Sequence, residues 1–183
     1  MKKIFWFFRA VFYNFFTKFP IPGYIGKICY VSSLKKITFG KKVRIYPGMR
    51  AEISGKNGKI NIGNNVSIGQ NFHVVSNEKD LNIGNNVVIS GNVFISNCDH
   101  SYDNIEESLF NQPLKNKETK IGDNCFIGYG AVILAGTILS NNCIVGANSV
   151  VKGIFPSNTV IAGAPARIIK KYNLKKNKWE RVI

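Results

Sequence analysis

The sequence predicts an all-β solenoid of short strands joined by sharp turns, and three observations predict it. Six aliphatic residues stand six apart in the C-terminal half: Ile121, Ile127, Ile133, Leu139, Val145 and Val151. The fifth position of each unit is small or short (Cys125, Ala131, Thr137, Cys143, Ser149), and glycine follows the aliphatic at Gly122, Gly128 and Gly146. Six is not a helical period. Along a strand, residues an even number apart share a face, so positions one and five point the same way, while Gly and Asn supply corners. Each unit therefore reads as a short strand plus a turn. An antiparallel barrel of short strands does not keep a six-residue phase over five units.

Residues 1–36 read as an aromatic helix and a lead-in. Ile4 to Phe16 holds Phe5, Trp6, Phe7, Phe8, Phe12, Tyr13, Phe15 and Phe16. The stretch is shorter than the roughly 20 apolar residues that span a bilayer, and it lacks a small-residue cleavage site of the secretory kind. Two readings stay open. The helix packs on the end or side of the solenoid, or it lies in a membrane surface with Lys2, Lys3, Arg9 and Lys18 near anionic headgroups.

Residues 37–167 form the repeat domain. Its phase appears weakly at Ile37, Val43 and Met49, then clearly at Ile62, Ile68 and Val74 and at Ile83, Ile89 and Ile95. Two breaks interrupt it. The step from Val74 to Ile83 suggests a bulge around residues 76–80, and the step from Ile95 to Ile121 leaves room for a loop over residues 101–114. Loops thrown out of a solenoid often carry function. Residues 168–183 read as a basic tail or helix continuing from Arg167.

The pattern of aliphatic, Gly, two variable residues and a small residue resembles the hexapeptide-repeat acyltransferases over residues 37–167. That resemblance implies a left-handed parallel β-helix, an exception to the usual right-handed crossover. Three hexads make one triangular coil, and roughly five to six coils fit, spaced about 4.8 Å apart like neighbouring strands. It also implies a homotrimer with each cleft formed by two neighbouring prisms. The outward sixth positions Phe126, Val132, Ile138 and Ile144 agree, because apolar groups there need a cover.

Composition narrows the rest. At 183 residues and 45% apolar content the chain suits one domain with appendages. Four cysteines without a CxxC or a Cys/His cluster give no metal centre and point to a reducing, cytoplasmic setting, peripheral on the inner membrane face if the helix binds lipid. Cys125 and Cys143 are expected to stack inside the prism as free thiols. The net charge of +15 calls for anionic company. Nucleic acid fits poorly, since the aromatics gather at the N-terminus instead of interleaving with basic residues.

Chemistry gathers where the long loop leaves the repeat. His100, in Cys98-Asp99-His100-Ser101-Tyr102, can take the proton of a hydroxyl that attacks a carbonyl. The other histidine, His73, is placed one face away. The run Asp99 to Tyr102 followed by Gln112-Pro113 resembles sugar O-acetyltransferases of surface-polysaccharide synthesis and of the galactoside and maltose type. That resemblance implies His100 as the catalytic base, acetyl-CoA as acyl donor and a sugar as acceptor. It matches Asn71 to the residue that orients the acceptor. It matches Phe126 to the position beside the acetyl and pantetheine groups, and the Tyr129 N–H to the donor facing the thioester oxygen. Ala147, Lys152 and Arg167 match positions that contact coenzyme A. The group that orients His100 is left open among Asp99, Asp103, Glu106 and a backbone carbonyl. Direct attack needs no acyl-enzyme, although Cys98 invites a ping-pong route. N-acetylation of a nucleotide-linked amino sugar and a non-catalytic scaffold are the alternatives. A carbonic-anhydrase-like site would need three histidines, and the chain has two.

Overall fold

The structure, a computed structural model, describes residues 2–17 and 19–182; Lys18 and the side chains of Lys2, Phe16 and Thr17 fall outside the described residues. One helix, α1 (Lys2–Thr17), precedes a parallel β-solenoid of about 6 turns. Three sheets form the three faces. On the first, Ile25, Ile45, Ile68, Ile89, Ile127, Val145 and Ile161 stand in register. On the second stand Val31, Ala51, Val74, Ile95, Ile133 and Val151. On the third stand Phe39, Ile62, Ile83, Ile121, Leu139 and Phe155. Nearly all are buried, and each fully buried Ile, Leu or Val contributes about 1.5–3 kcal/mol relative to an exposed position.

The register locates every irregularity. From first face to second, and from third back to first, each coil keeps the six-residue step. The step from second face to third varies: Val31 to Phe39, Ala51 to Ile62, Val74 to Ile83, Ile95 to Ile121. All insertions thus leave the solenoid at one corner. The longest opens with Cys98–His100 pairing antiparallel to Leu114–Asn116, so the loop stands on a short hairpin.

The corners explain the Gly and Asn content. Where the third face turns into the first, Gly63, Gly84 and Gly122 stack so closely that a Cβ on Gly84 would lie 2.4 Å from Asp123 and 2.8 Å from the Gly122 backbone. Beside them Asn65, Asn86 and Asn124 hold left-handed backbone at φ of 55–56°. Their side chains bond from coil to coil, Asn65 Nδ2 to Asn86 Oδ1 at 3.0 Å and Asn86 Nδ2 to Asn124 Oδ1 at 3.1 Å. Asn tolerates this backbone better than other residues with a Cβ.

Three expectations need correction. The weak phase at Ile37, Val43 and Met49 is displaced by two residues, because Phe39, Ile45 and Ala51 are the ones in register with Ile62, Ile68 and Val74. In this half of the chain both inward positions carry large apolar residues, such as Val66 and Phe72, so residue type does not separate them. The first coil opens earlier than residue 37, with Tyr24–Ile25 pairing to Arg44–Ile45. The basic tail is not helical. Ala166–Asn173 folds back on Thr159–Gly163, and Lys178–Arg181 pairs with it in turn, both antiparallel. Alternating burial along Arg167–Lys171 is the period of a strand, and Asn173 and Asn177 shape the turn: Asn173 Oδ1 accepts from the Lys175 and Lys176 amides, and Asn177 has φ of 52°.

α1 packs on the solenoid through one side. Ala10 is fully buried, the Trp6 ring meets Tyr46 edge-on at 5.4 Å, and Tyr13 rests on the core. The helix is not long and apolar enough to cross a membrane. Cys125 and Cys143 stack in adjacent coils as buried free thiols. A hydrogen bond to Cys143, together with burial, keeps Cys125 protonated.

Candidate active site

The insertion hairpin overhangs the second face and encloses a cavity of about 670 Å³. Its floor is the outward column Tyr30, Arg50, His73 and Phe94, one residue from each of four successive coils. Its far wall is Cys98, Asp99, His100 and Leu114. The longer second-face strands Arg50–Ser54 and His73–Asn77 extend this floor toward the insertion corner.

His100 is exposed at the end of its strand, which leaves the imidazole accessible from the cavity side. The hairpin root is fixed from below by Asn97, which is fully buried and fully bonded. Its Oδ1 accepts from the Asn77 amide at 2.8 Å, and its Nδ2 donates to the Lys79 carbonyl at 2.6 Å. Gln112 shapes the loop beyond, donating to the carbonyls of Asn104 and Glu107. Two candidate acids are engaged by cations. Asp99 lies 3.7 Å from Lys152, and Asp103 lies 2.6 Å from Lys115, whose hydrogen bond holds its carboxyl below the ordinary range. Burial pushes the Cys98 thiol up, so it stays protonated and a poor nucleophile.

His73 shares this cavity, contrary to the expectation that it sits one face away. The sixth residue of a unit precedes the next unit's aliphatic and so belongs to the next face: His73 starts the second-face strand one coil below Phe94. His100 follows the second-face strand of the next coil. His73 Nε2 is 2.8 Å from Glu52 Oε1, and Arg50 Nε is 2.6 Å from the same oxygen. Arg50's hydrogen bond, and then that of His73, lower the Glu52 carboxyl, so an ionised Glu52 accepts from both. Sequence reasoning missed Arg50, Glu52 and Tyr30. Period-two alternation in Arg50-Ala51-Glu52-Ile53 was the available signal.

The other expected residues lie elsewhere on the prism. Asn71, Tyr129 and Ala147 follow the edge between first and second faces. Asn71 Nδ2 donates to Asn92 Oδ1 at 3.0 Å, Asn92 in turn bonds the Tyr129 hydroxyl, and the Tyr129 carbonyl accepts from Asn148 at 2.8 Å. Arg167 sits at the top of that edge, paired in register with Ala162. Phe126 is on the outer surface of the first face and 42% exposed. Lys152 is alone in reaching the insertion hairpin, through Asp99. Among the described residues, the Tyr129 N–H has no partner, while its neighbours Gly128 and Gly130 are bonded to Val145 and Gly91. One chain therefore places His100 on one corner and the free N–H on another.

Comparison with known proteins adds the following. A family model described as the hexapeptide repeat of succinyl-transferase matches residues 118–152. The chain is 36% identical, over 84% of its length and 81% of the relative's, to a putative lipopolysaccharide biosynthesis O-acetyl transferase, WbbJ, of Escherichia coli strain K12. It superposes with a TM-score of 0.66 on the hexapeptide-repeat-containing acetyltransferase VCA0836 of Vibrio cholerae, solved with acetyl coenzyme A, at 28% identity over 75% of this chain and 72% of that one. A mutant of the N-acyltransferase AntD of Bacillus cereus, solved with dTDP and coenzyme A, shares the fold with a TM-score of 0.71 at 19% identity, over 85% and 83% of the two chains.

Proposed function

This chain belongs to the hexapeptide-repeat acetyltransferases, and from that premise we propose that it moves an acetyl group from acetyl-CoA to a sugar hydroxyl, in a surface polysaccharide or its precursor. The observation that carries the reading is the cavity in which His100 faces a floor of aromatic and hydrogen-bonding side chains. Tyr30 and Phe94 offer flat apolar surfaces for a sugar ring. Ser54, Glu52 and Arg50 offer acceptors and donors for its hydroxyls. O-transfer is favoured by the similarity to WbbJ.

His100 would take the proton from the attacking hydroxyl as the sugar oxygen adds to the thioester carbonyl. The negative oxygen of the tetrahedral intermediate would meet the Tyr129 N–H, a donor fixed by the coil on either side of it. Collapse expels the coenzyme A thiolate, which recovers the proton from the imidazolium. Asn71 would orient the acceptor. Ala147 and Arg167 on the prism edge, Phe126 on the first face and Lys152 at the insertion corner would hold the donor, where two cations suit its phosphates. The raised thiol of Cys98 speaks for direct attack, and Cys98→Ser should leave turnover nearly unchanged.

The edge and the hairpin come together when two copies pack side by side. The outer columns of the upper coils support that arrangement. Val88, Phe126, Ile144 and Val160 run up the first face, and Phe94, Val132 and Val150 run up the second. The third face shows Thr38, Asn61, Asn82 and Lys120 in its lower coils, with Ile138 and Ile154 above them. Apolar columns on two different faces suit a closed ring in which each copy offers one face to each neighbour, a homotrimer.

Thiol release from acetyl-CoA against a panel of free, nucleotide-linked and amino sugars tests the reading. The expected product is an ester, released by mild alkali. An alkali-stable amide formed only on amino sugars would replace O-transfer by N-transfer, and no release with any acceptor would leave a scaffold.

A further inference from the structure

We propose that the N-terminal end of the solenoid is a docking surface for an anionic lipid bilayer, with α1 lying in the plane of the headgroups. Two independent features meet at that end. The first is apolar. α1 contacts both the Tyr24–Ile25 strand and the turn at Leu34–Lys36, two different sides of the first coil, so it crosses the open end of the prism. Ala10 and Trp6 face inward, whereas Phe5, Phe8, Phe12 and Phe15 are 60–82% exposed. At 100° per residue these four and Ile4 fall within about a third of the helix circumference, one continuous stripe.

The second feature is charge. The first 51 residues carry eleven Lys or Arg and no Asp or Glu; the first acid in the chain is Glu52. In a solenoid each coil stacks on the one before, so position in sequence is height along the axis. The excess charge is therefore concentrated at the end that α1 covers, with Lys27, Lys35, Lys41 and Lys42 exposed there. A second copy meeting this end would press cation on cation. Nucleic acid would satisfy the charge and leave the phenylalanines in water. An anionic bilayer satisfies both, and a helix of 16 residues that cannot span can lie in its surface.

Co-sedimentation of the full chain with vesicles is the test. We expect binding to phosphatidylcholine vesicles containing phosphatidylglycerol, little binding to phosphatidylcholine alone, and at least about tenfold weakening between about 0.1 and 0.5 M salt. Phe8→Ser with Phe12→Ser should weaken binding about tenfold or more while thiol release with a soluble acceptor is unchanged. Lys41→Glu with Lys42→Glu should reduce the salt dependence. Absence of binding to phosphatidylglycerol vesicles at low salt would overturn the proposal. So would phenylalanine variants that bind as well as the parent, or whose effect is a change of oligomeric mass in light scattering, which would assign the stripe to a second copy.

Discussion

At the scale of single residues, Glu52 gathers Arg50 and His73 on one carboxylate oxygen beside the proposed base, and its ionisation is readable as stability. Arg50's hydrogen bond holds the folded carboxyl below its ordinary value of 4.5. The stabilisation is present above that ordinary value and is lost as pH falls through the lowered one. Urea midpoints of the parent and Glu52→Gln should therefore differ near neutrality and converge on acidification below 4.5. A difference that stays constant with pH would remove Glu52 ionisation as its source. The place of His100 beside the cavity was legible because it stands where the repeat breaks. His73 was not, because a six-residue count assigns a residue to a unit, while the strand it joins belongs to the next face.

At the scale of elements, the Asn column shows how a coil corner is held. Asn86 combines a left-handed backbone with bonds to the coils above and below. Asn86→Ala should cost about 1–3 kcal/mol, and Asn86→Gly, which keeps the backbone free of strain, should cost less. Denaturant unfolding measures both, and equal losses would refute the backbone part of the account. The solenoid core was legible because inward positions recur six apart with little else competing. The first coil was less so, because two large residues per turn blur the phase. The C-terminal hairpin was hidden by its lysines: a run of cations looks alike on a helix and on an exposed strand until the alternation in Arg167–Lys171 is weighed.

At the scale of the whole molecule, the proposed base His100 and the free N–H lie on different corners of one prism, so a shared site predicts complementation between inactive variants. Tyr129→Pro removes the N–H, and Pro47 at the equivalent corner of a lower coil, its carbonyl accepting from Asn71 as that of Tyr129 accepts from Asn148, shows that proline fits there. It should lower turnover about 10²–10³-fold, whereas Tyr129→Ala keeps the donor and most of the activity. Trimers assembled from equal amounts of His100→Ala and Tyr129→Pro should recover activity at about a quarter of their sites, and none if each chain completes its own site. A ring of parallel prisms also turns every α1 toward the same side, which would multiply a weak lipid contact.

The most direct test of the central claim is the turnover of His100→Ala with acetyl-CoA and a preferred acceptor, measured beside its affinity for coenzyme A. The account predicts a fall of about 10²–10⁴-fold with affinity nearly unchanged, since a general base acts on the acceptor hydroxyl and not on the donor. Turnover close to that of the parent would contradict it.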